Sequence, residues 1–454
     1  MGKSLIGESV LLKSIQAVAD RHSLLVFSKD VVTNFFIVSK QSGHWMLSML
    51  SHTDVLRIVL SVLTFSSLNW NFLIAEDNTE PTDRAVANAE LIWKITVPAG
   101  SVDLSGNSGL LSNGLQQNSL GGFSAIEYSG QGHLYWVIPD RGPLDGATDY
   151  LCRIHQVELH TADRSSVGLR VVATQMLRQK SGDALCGSLE LVTSSSSPRS
   201  RAYDPEAVRV AADGSLLISD EYGPWIDRFS GQGVMEATWT LPSALRLTES
   251  QDLETATVGA VPNRGLEGLA LVPGGKEMVV AYQSALVQDS RSKGKKRLGD
   301  YARLLLLDAI KPGQPIEQWA YPMQDASFGI SEILSVDERR FLVLERDSEA
   351  GAQSTCKALY LIDCKSATDI SAVQALPAKG PLPGGIKPVT KRPFLDLLDP
   401  SYGLRDLVGL EKVEGITWGP NLKDGRRLLV ISTDNDFDPQ RPSHLFGFAI
   451  STPF

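Results

Sequence analysis

Five times along this chain the same short pattern returns, beginning at Gly122 (GFSAIEY), Asp204 (DPEAVRV), Gly265 (GLEGLAL), Gly329 (GISEILS) and Val413 (VEGITWG). Each copy is followed, after a turn, by a second apolar run ending in polar residues: YWVIPDRGP, LLISDEYGP, MVVAYQSAL, FLVLERDS and LLVISTDND. Such a unit cannot bury both of its faces alone, so repetition implies units packed side by side around a shared core.

Read outward, the clearest copy yields four strands, EAVRVA, SLLISDE, WIDRFS and VMEATWTL, separated by DGS, GP and GQG turns. Four-stranded antiparallel units repeated in one chain predict an all-β fold, a single β-propeller whose blades ring a central channel. The copies start roughly 60–85 residues apart, longer than the ~40–45 of compact propeller repeats, and insertions such as SSSSPRS and PAKGPLPGGIKP absorb the excess. The last copy has only three strands, and AELIWKITVP (89–98) supplies the fourth, closing the ring with both ends of the domain. Five blades are visible, and a degenerate sixth in 350–400 would make six. The propeller is placed at residues 85–454.

Residues 1–75 carry no repeat and are read as a leader outside the propeller. Within it, 58–75 has the form of a secretory signal: Arg57, a short apolar run from Ile58, and Ala75 before acidic EDNTEP. The run is shorter than the ~20 apolar residues of a membrane span, so no stable span is expected in a mature chain beginning near Glu76. Its distance from Met1 implies a start at Met46 or Met49, or else an uncleaved anchor. The protein is expected to be secreted or extracytoplasmic. Four cysteines are compatible with an oxidising compartment, and Cys152 and Cys186 are either a disulfide pair or buried free thiols. The formal net charge of −9 argues against nucleic acid as a partner. The basic run SRSKGKKR (290–297) reads as a solvated loop between strands.

Aligning the copies puts Ser124, Glu206, Glu267, Ser331 and Glu414 in one column at the start of the innermost strand. A second column lies where the next strand ends: Asp140, Asp220 with Glu221, Gln283, Glu345 through Asp347, and Asp434 with Asn435. In an antiparallel pair these positions share one edge, so both columns fall around one mouth of the channel. A lone acid at a strand end commonly caps a turn, but three glutamates in register would repel one another unless a cation or a proton relieved them. An all-oxygen set suits Ca²⁺ or Mg²⁺. Glu206, Glu267, Glu414, Asp140 and Asp434 are therefore the metal-ligand candidates. Asp220 and Glu345 are candidates for general base. Arg141, Arg264 and Arg346 would orient an anionic substrate, or pair with carboxylates to hold blades together. No G-x-S-x-G elbow and no triad-like histidine placement occurs.

The motifs GGFSAIEY…YWVIPDRGP, YDPEAVRV…LISDEYGP, NRGLEGLAL, GISEIL…FLVLERDS and EGITWG…STDND resemble the phytase-like domain, "esterase-like activity of phytase", over roughly residues 118–450. The resemblance implies a secreted or periplasmic propeller hydrolase, by likeness to calcium-dependent propeller phytases. The acidic motifs of established propeller phytases are not found here, so the resemblance names no substrate. The expectation is a divalent-metal-dependent hydrolase of phosphoric or carboxylic esters, acting on a small anionic or ester substrate. The alternatives are a non-catalytic ligand- or protein-binding propeller and a lactone- or sugar-acting calcium propeller.

Overall fold

A computed structural model describes strands Leu24–Val26, Phe35–Gln41 and His44–Leu50, then residues 89–451 except 162–166, 189–201, 248–252 and 295. The chain divides into two units, Met1–Glu80 and Pro81–Phe454. The first contains a three-stranded antiparallel sheet of those early strands. The apolar segment 58–75 lies outside the described residues, as does any question of its removal.

The second unit is a five-bladed propeller. Blade 1 is Phe123–Tyr128, Leu134–Pro139, Arg153–His160 and Gly168–Met176, and blade 2 is Pro205–Val210, Leu216–Asp220, Trp225–Phe229 and Met235–Thr240. Blade 3 is Leu266–Leu271, Glu277–Tyr282, Tyr301–Asp308 and Glu317–Pro322, with a small hairpin, Arg291–Lys293 and Lys296–Leu298, inserted after its second strand. Blade 4 is Gly329–Ser335, Arg340–Arg346, Lys357–Asp363 and Thr390–Asp396. Its third and fourth strands occupy the region that would have held a sixth blade, and the long insertion between them contains no strand. Blade 5 is Val413–Trp418, Arg427–Thr433 and Ser443–Ile450, completed by Ala89–Val97 antiparallel to Ser443–Ile450. The predicted closure is present. Trp93 lies over Gly447 so closely that a Cβ there would come within 2.0 Å of the indole.

Blades in a ring are covered on both faces, so their strands read as continuous apolar runs rather than alternating ones. All of Leu216–Asp220 and all of Ser443–Ile450 are buried. Each of the five seams holds its own apolar layer. Between blades 2 and 3, for example, Leu217 and Trp239 meet Leu269, Met278 and Leu305, and the other four seams are built alike.

The innermost strands approach closely. Four of them carry Ala125, Ala207, Gly268 and Gly415 at one position, where the fifth carries Glu332. A Cβ at Gly268 would fall 2.6 Å from the Ile333 nitrogen. Glu332 is fully buried, and its Oε1 accepts the N–H groups of Leu269 and Ile333, each at 2.9 Å. Arg209 reaches it at 3.0 Å and donates to the Ile333 carbonyl at 2.9 Å, with Glu127 3.6 Å away. Burial pushes Glu332 up to about 7, against the pull of Arg209. All four described cysteines are buried free thiols. Among the described residues no helix is long and apolar enough to cross a membrane.

Candidate functional site

In every blade the innermost strand is irregular at the same place. The pairing steps from Phe123–Pro139 to Ala125–Ile138 in blade 1, leaving Ser124 as an extra residue. The same step leaves Glu206 extra in blade 2, Glu267 in blade 3 and Ser331 in blade 4. In blade 5 it falls between Val413 and Ile416, around Glu414 and Gly415. A β-bulge frees one residue from the ladder and re-aims its side chain. Here it does so five times, and the column Ser124, Glu206, Glu267, Ser331, Glu414 is the set of bulged residues.

Beyond each bulge the second strands pair at Pro139, Asp220, Tyr282, Glu345 and Thr433, and the residues that follow these form the second column; in blade 4 that residue, Arg346, is still paired, with Gly329. They are Asp140, Glu221, Gln283, Arg346 and Asp434. Asp220 and Glu345, expected as general bases, stand one residue short of it, and alternation along a strand turns them away. Asp220 is fully buried and accepts the N–H groups of Asp204 at 2.7 Å and Gly223 at 3.2 Å. Glu345, equally buried, accepts the Tyr321 hydroxyl at 2.8 Å, the Gln324 N–H at 2.7 Å and Lys391 Nζ at 2.7 Å. Both brace loops, and the acidic residue offered at the mouth of blade 2 is Glu221.

The columns also lock the ring. In each blade a residue of the second column, or the one that follows it, grips the start of the next blade. Arg141 follows Asp140, donates its N–H to Asp204 Oδ1 at 3.1 Å and pairs with that carboxylate through its guanidinium. Glu221 Oε1 accepts the Gly265 N–H at 2.9 Å, and the Gln283 carbonyl accepts the Ile330 N–H at 2.9 Å. Arg346 donates to Ser331 at 3.0 Å and to Glu414 at 2.6 Å. Asn435 Oδ1 accepts the Gly122 N–H at 2.9 Å. Of the three arginines, Arg141 and Arg346 are thus tied into clasps. Arg264 has no side-chain hydrogen bond or ion pair among the described residues. Burial lowers its pKa against the pull of Glu267 and Glu221.

Two residues at the mouth went unread as site residues, Asp204 and Lys412. Both occupy the repeat position that holds Gly122, Gly265 and Gly329, a match visible once the fifth copy is started one residue earlier. Lys412 pairs with Asp436 and lies 3.6 Å from Asp434. Two carboxylate groups converge within 4.8 Å: Asp204 with Glu206 and Glu221, and Asp140 with Asp434 and Asp436. The three column glutamates surround the mouth and act on one another by charge. Glu267 pairs with Gln283 and Glu414 with Arg346.

The electrostatics follow from burial and crowding. Glu206 is held well above the usual carboxylate range by burial and then by Glu267, Asp204, Glu221 and Glu414. Glu267 is raised by burial, Glu221 and Glu414, and Asp140 by burial and Asp434. Glu221 is pushed up to about 8 by burial and Asp204, and Asp434 to about 7 by burial. Asp140, Asp204, Glu206, Glu221, Glu267, Glu414 and Asp434 are all buried, and among the described residues these seven carboxylates are set against Arg141, Arg264, Arg346 and Lys412. Among the described residues Ser124 Oγ is buried without a hydrogen-bond partner, and Asp434 Oδ2 has no hydrogen bond beyond its ion pair with Lys412 at 3.6 Å. Surplus negative charge, oxygen-only donors and buried oxygens lacking hydrogen bonds together fit a hard divalent cation.

An uncharacterized secreted protein of Arthroderma benhamiae is 27% identical over 387 residues, 66% of this chain and 74% of its own length. Among solved structures, Kluyveromyces lactis Hsv2 aligns over 52% of this chain and 55% of its own, with 9% identity and a TM-score of 0.27. Kuenenia stuttgartiensis hydrazine synthase aligns over 72% and 76%, with 11% identity and a TM-score of 0.34. Likeness of that size adds nothing to a fold traced strand by strand. The family described as "Phytase-like: Esterase-like activity of phytase" matches residues 118–437, from blade 1 into blade 5, and the chain belongs to it.

Proposed function

We propose that the mouth of the channel is a divalent-cation-dependent hydrolytic site for phosphoric or carboxylic esters, on a protein that works outside the cytoplasm. The observation that carries this reading is the excess of buried carboxylate around the mouth, three of the acids, Glu206, Glu267 and Glu414, standing at bulges. Glu206, with Glu267 and Glu414 beside it, would hold Ca²⁺ or Mg²⁺, and Asp140 and Asp434 offer a second group of oxygens. Such a cation polarises an ester oxygen and makes water a better nucleophile at neutral pH. The location rests on the secreted description of the A. benhamiae relative and on the signal-like segment 58–75.

The proton work falls to Glu221. Burial and Asp204 raise its carboxyl to about 8, so it can carry a proton to a leaving oxygen and then take one from water. Arg264, whose guanidinium is uncommitted, orients the anionic part of the substrate, while Arg141 and Arg346 keep Asp204 and Glu414 in place. The test is a panel of phosphate and carboxylic esters on the full chain, with chelator and with added Ca²⁺ or Mg²⁺. Turnover that needs the cation supports the reading, and turnover indifferent to chelator refutes it. The clasps at Glu414 and Asp204 favour a second reading, a non-catalytic ligand-binding propeller. Silence on every ester together with tight ligand binding would select it.

A further inference from the structure

The basic run at 290–297 is not a plain solvated loop. It folds as an antiparallel hairpin, Arg291–Lys293 against Lys296–Leu298, standing between two cavities. One, of about 370 Å³, is lined by Arg264, Lys296, Arg297 and Phe328 among others, and the second, of about 740 Å³, by Arg291, Lys293, Tyr301 and Lys379 among others. Leu298 and Ser327 line both, so the cavities adjoin, and we read them as one groove with Arg264, beside Glu267 and Glu221 of the mouth, at one end.

The groove carries six basic side chains in a chain of net charge −9. Arg297 spends its guanidinium on the Leu253 and Ala256 carbonyls at 2.8 and 2.7 Å. Arg291, Lys293, Lys296 and Lys379 are exposed and, like Arg264, have no side-chain hydrogen bond or ion pair among the described residues. Four carboxylates share the lining. Asp347 is paired with Lys357 at 2.6 Å, Asp300 accepts the Gly380 N–H at 2.8 Å, and Asp325, within the field of Lys293, accepts the Ser327 N–H at 2.8 Å. Glu349 is exposed. The walls are fixed from below. Buried Asp289, next to the hairpin base, takes two bonds from Arg303 at 2.6 and 2.9 Å and the Leu376 N–H at 2.7 Å. Tyr301 donates to the Gly380 carbonyl at 3.2 Å. A binding surface built before its ligand arrives spares the cost of ordering it.

We propose that this groove binds an acidic polysaccharide, a chain of pyranose rings bearing carboxylates, and feeds it toward the mouth. Free arginine and lysine side chains along a track match a ligand with repeated negative charges. One aromatic residue lines each cavity, Phe328 and Tyr301, a side-chain type on which pyranose rings pack. Exposed Glu349 and Asp325 can accept bonds from sugar hydroxyls, whereas Asp347 is spent on Lys357. A polyphosphate has no hydroxyl donors along its length and would meet them only as repulsion.

The proposal rests on the hydrolytic reading of the mouth only for the direction in which the chain runs, and a binding experiment separates the two. The full chain is titrated calorimetrically with a galacturonate hexamer, a neutral glucan hexamer, polyphosphate and polyglutamate. The uronate should bind best and lose affinity as salt rises, with at least a tenfold loss in Lys293→Gln/Lys379→Gln and again in Phe328→Ala. Turnover of a small ester should be unchanged in the lysine variant. Absence of uronate binding, an unchanged lysine variant, or equal binding of polyglutamate or polyphosphate would each overturn the proposal.

Discussion

Asp220 accepts backbone N–H groups with both oxygens, whereas Glu221, one residue on, reaches the mouth beside Asp204 and Arg141. Asp220→Asn replaces one acceptor by a donor and should cost about 1–3 kcal/mol of stability with turnover retained. Glu221→Gln should lower kcat at least tenfold with the melting temperature held or raised. The reverse pattern, read from thermal melts and initial rates, would reassign the pair. Glu332 makes a separate prediction about pH. Its folded pKa of about 7 lies above the unfolded carboxylate value of 4.5, so the folded state holds the proton more tightly. Its contribution is therefore best below the unfolded value and is lost as pH rises toward about 7, by roughly 3 kcal/mol at most. Melts of wild type and Glu332→Gln between pH 4.5 and 8 should show wild type losing ground to the variant as pH rises. Parallel curves would show that Arg209 keeps Glu332 ionised throughout.

Strands were legible in the sequence where burial on both faces makes them long apolar runs, as in LLISD and FLVLER. The partner of the three-strand last blade was legible because AELIWKITVP had nowhere else to go. The bulges were not, since an extra residue in a ladder leaves no mark on hydrophobic pattern. Without the bulge the offset between Asp220 and Glu221 cannot be seen, and both were read into one column. Lys412 was missed because the fifth copy was begun at Val413. The closing strand also makes a sharp prediction. Gly447→Ala places a methyl group against the Trp93 ring, and overpacking of this kind costs typically ~1–3 kcal/mol. Differential scanning calorimetry should show the whole propeller melting earlier in one transition. An unchanged melt would mean that the Trp93 ring gives way and that its packing on Gly447 does not limit the closure.

Around the ring, five clasps join each blade to the next, and the mouth they encircle holds more carboxylate than cationic charge. A cation that binds only the folded ring would stabilise it by ~2.7 kcal/mol at a hundredfold excess over its dissociation constant. Chelator should lower the melting temperature, added Ca²⁺ should restore it, and Glu267→Gln should blunt the response. A melt indifferent to chelator in the wild type would leave the clasps as sufficient and the carboxylates as structural. The closure of the ring has a consequence for biosynthesis as well. Ala89–Val97 leaves the ribosome ~350 residues ahead of its partner Ser443–Ile450, which at ~5–20 residues per second is a wait of roughly 20–70 s. Throughout that interval the strand has no partner and blade 5 cannot form, so four blades' worth of nascent chain must be kept from pairing with its neighbours.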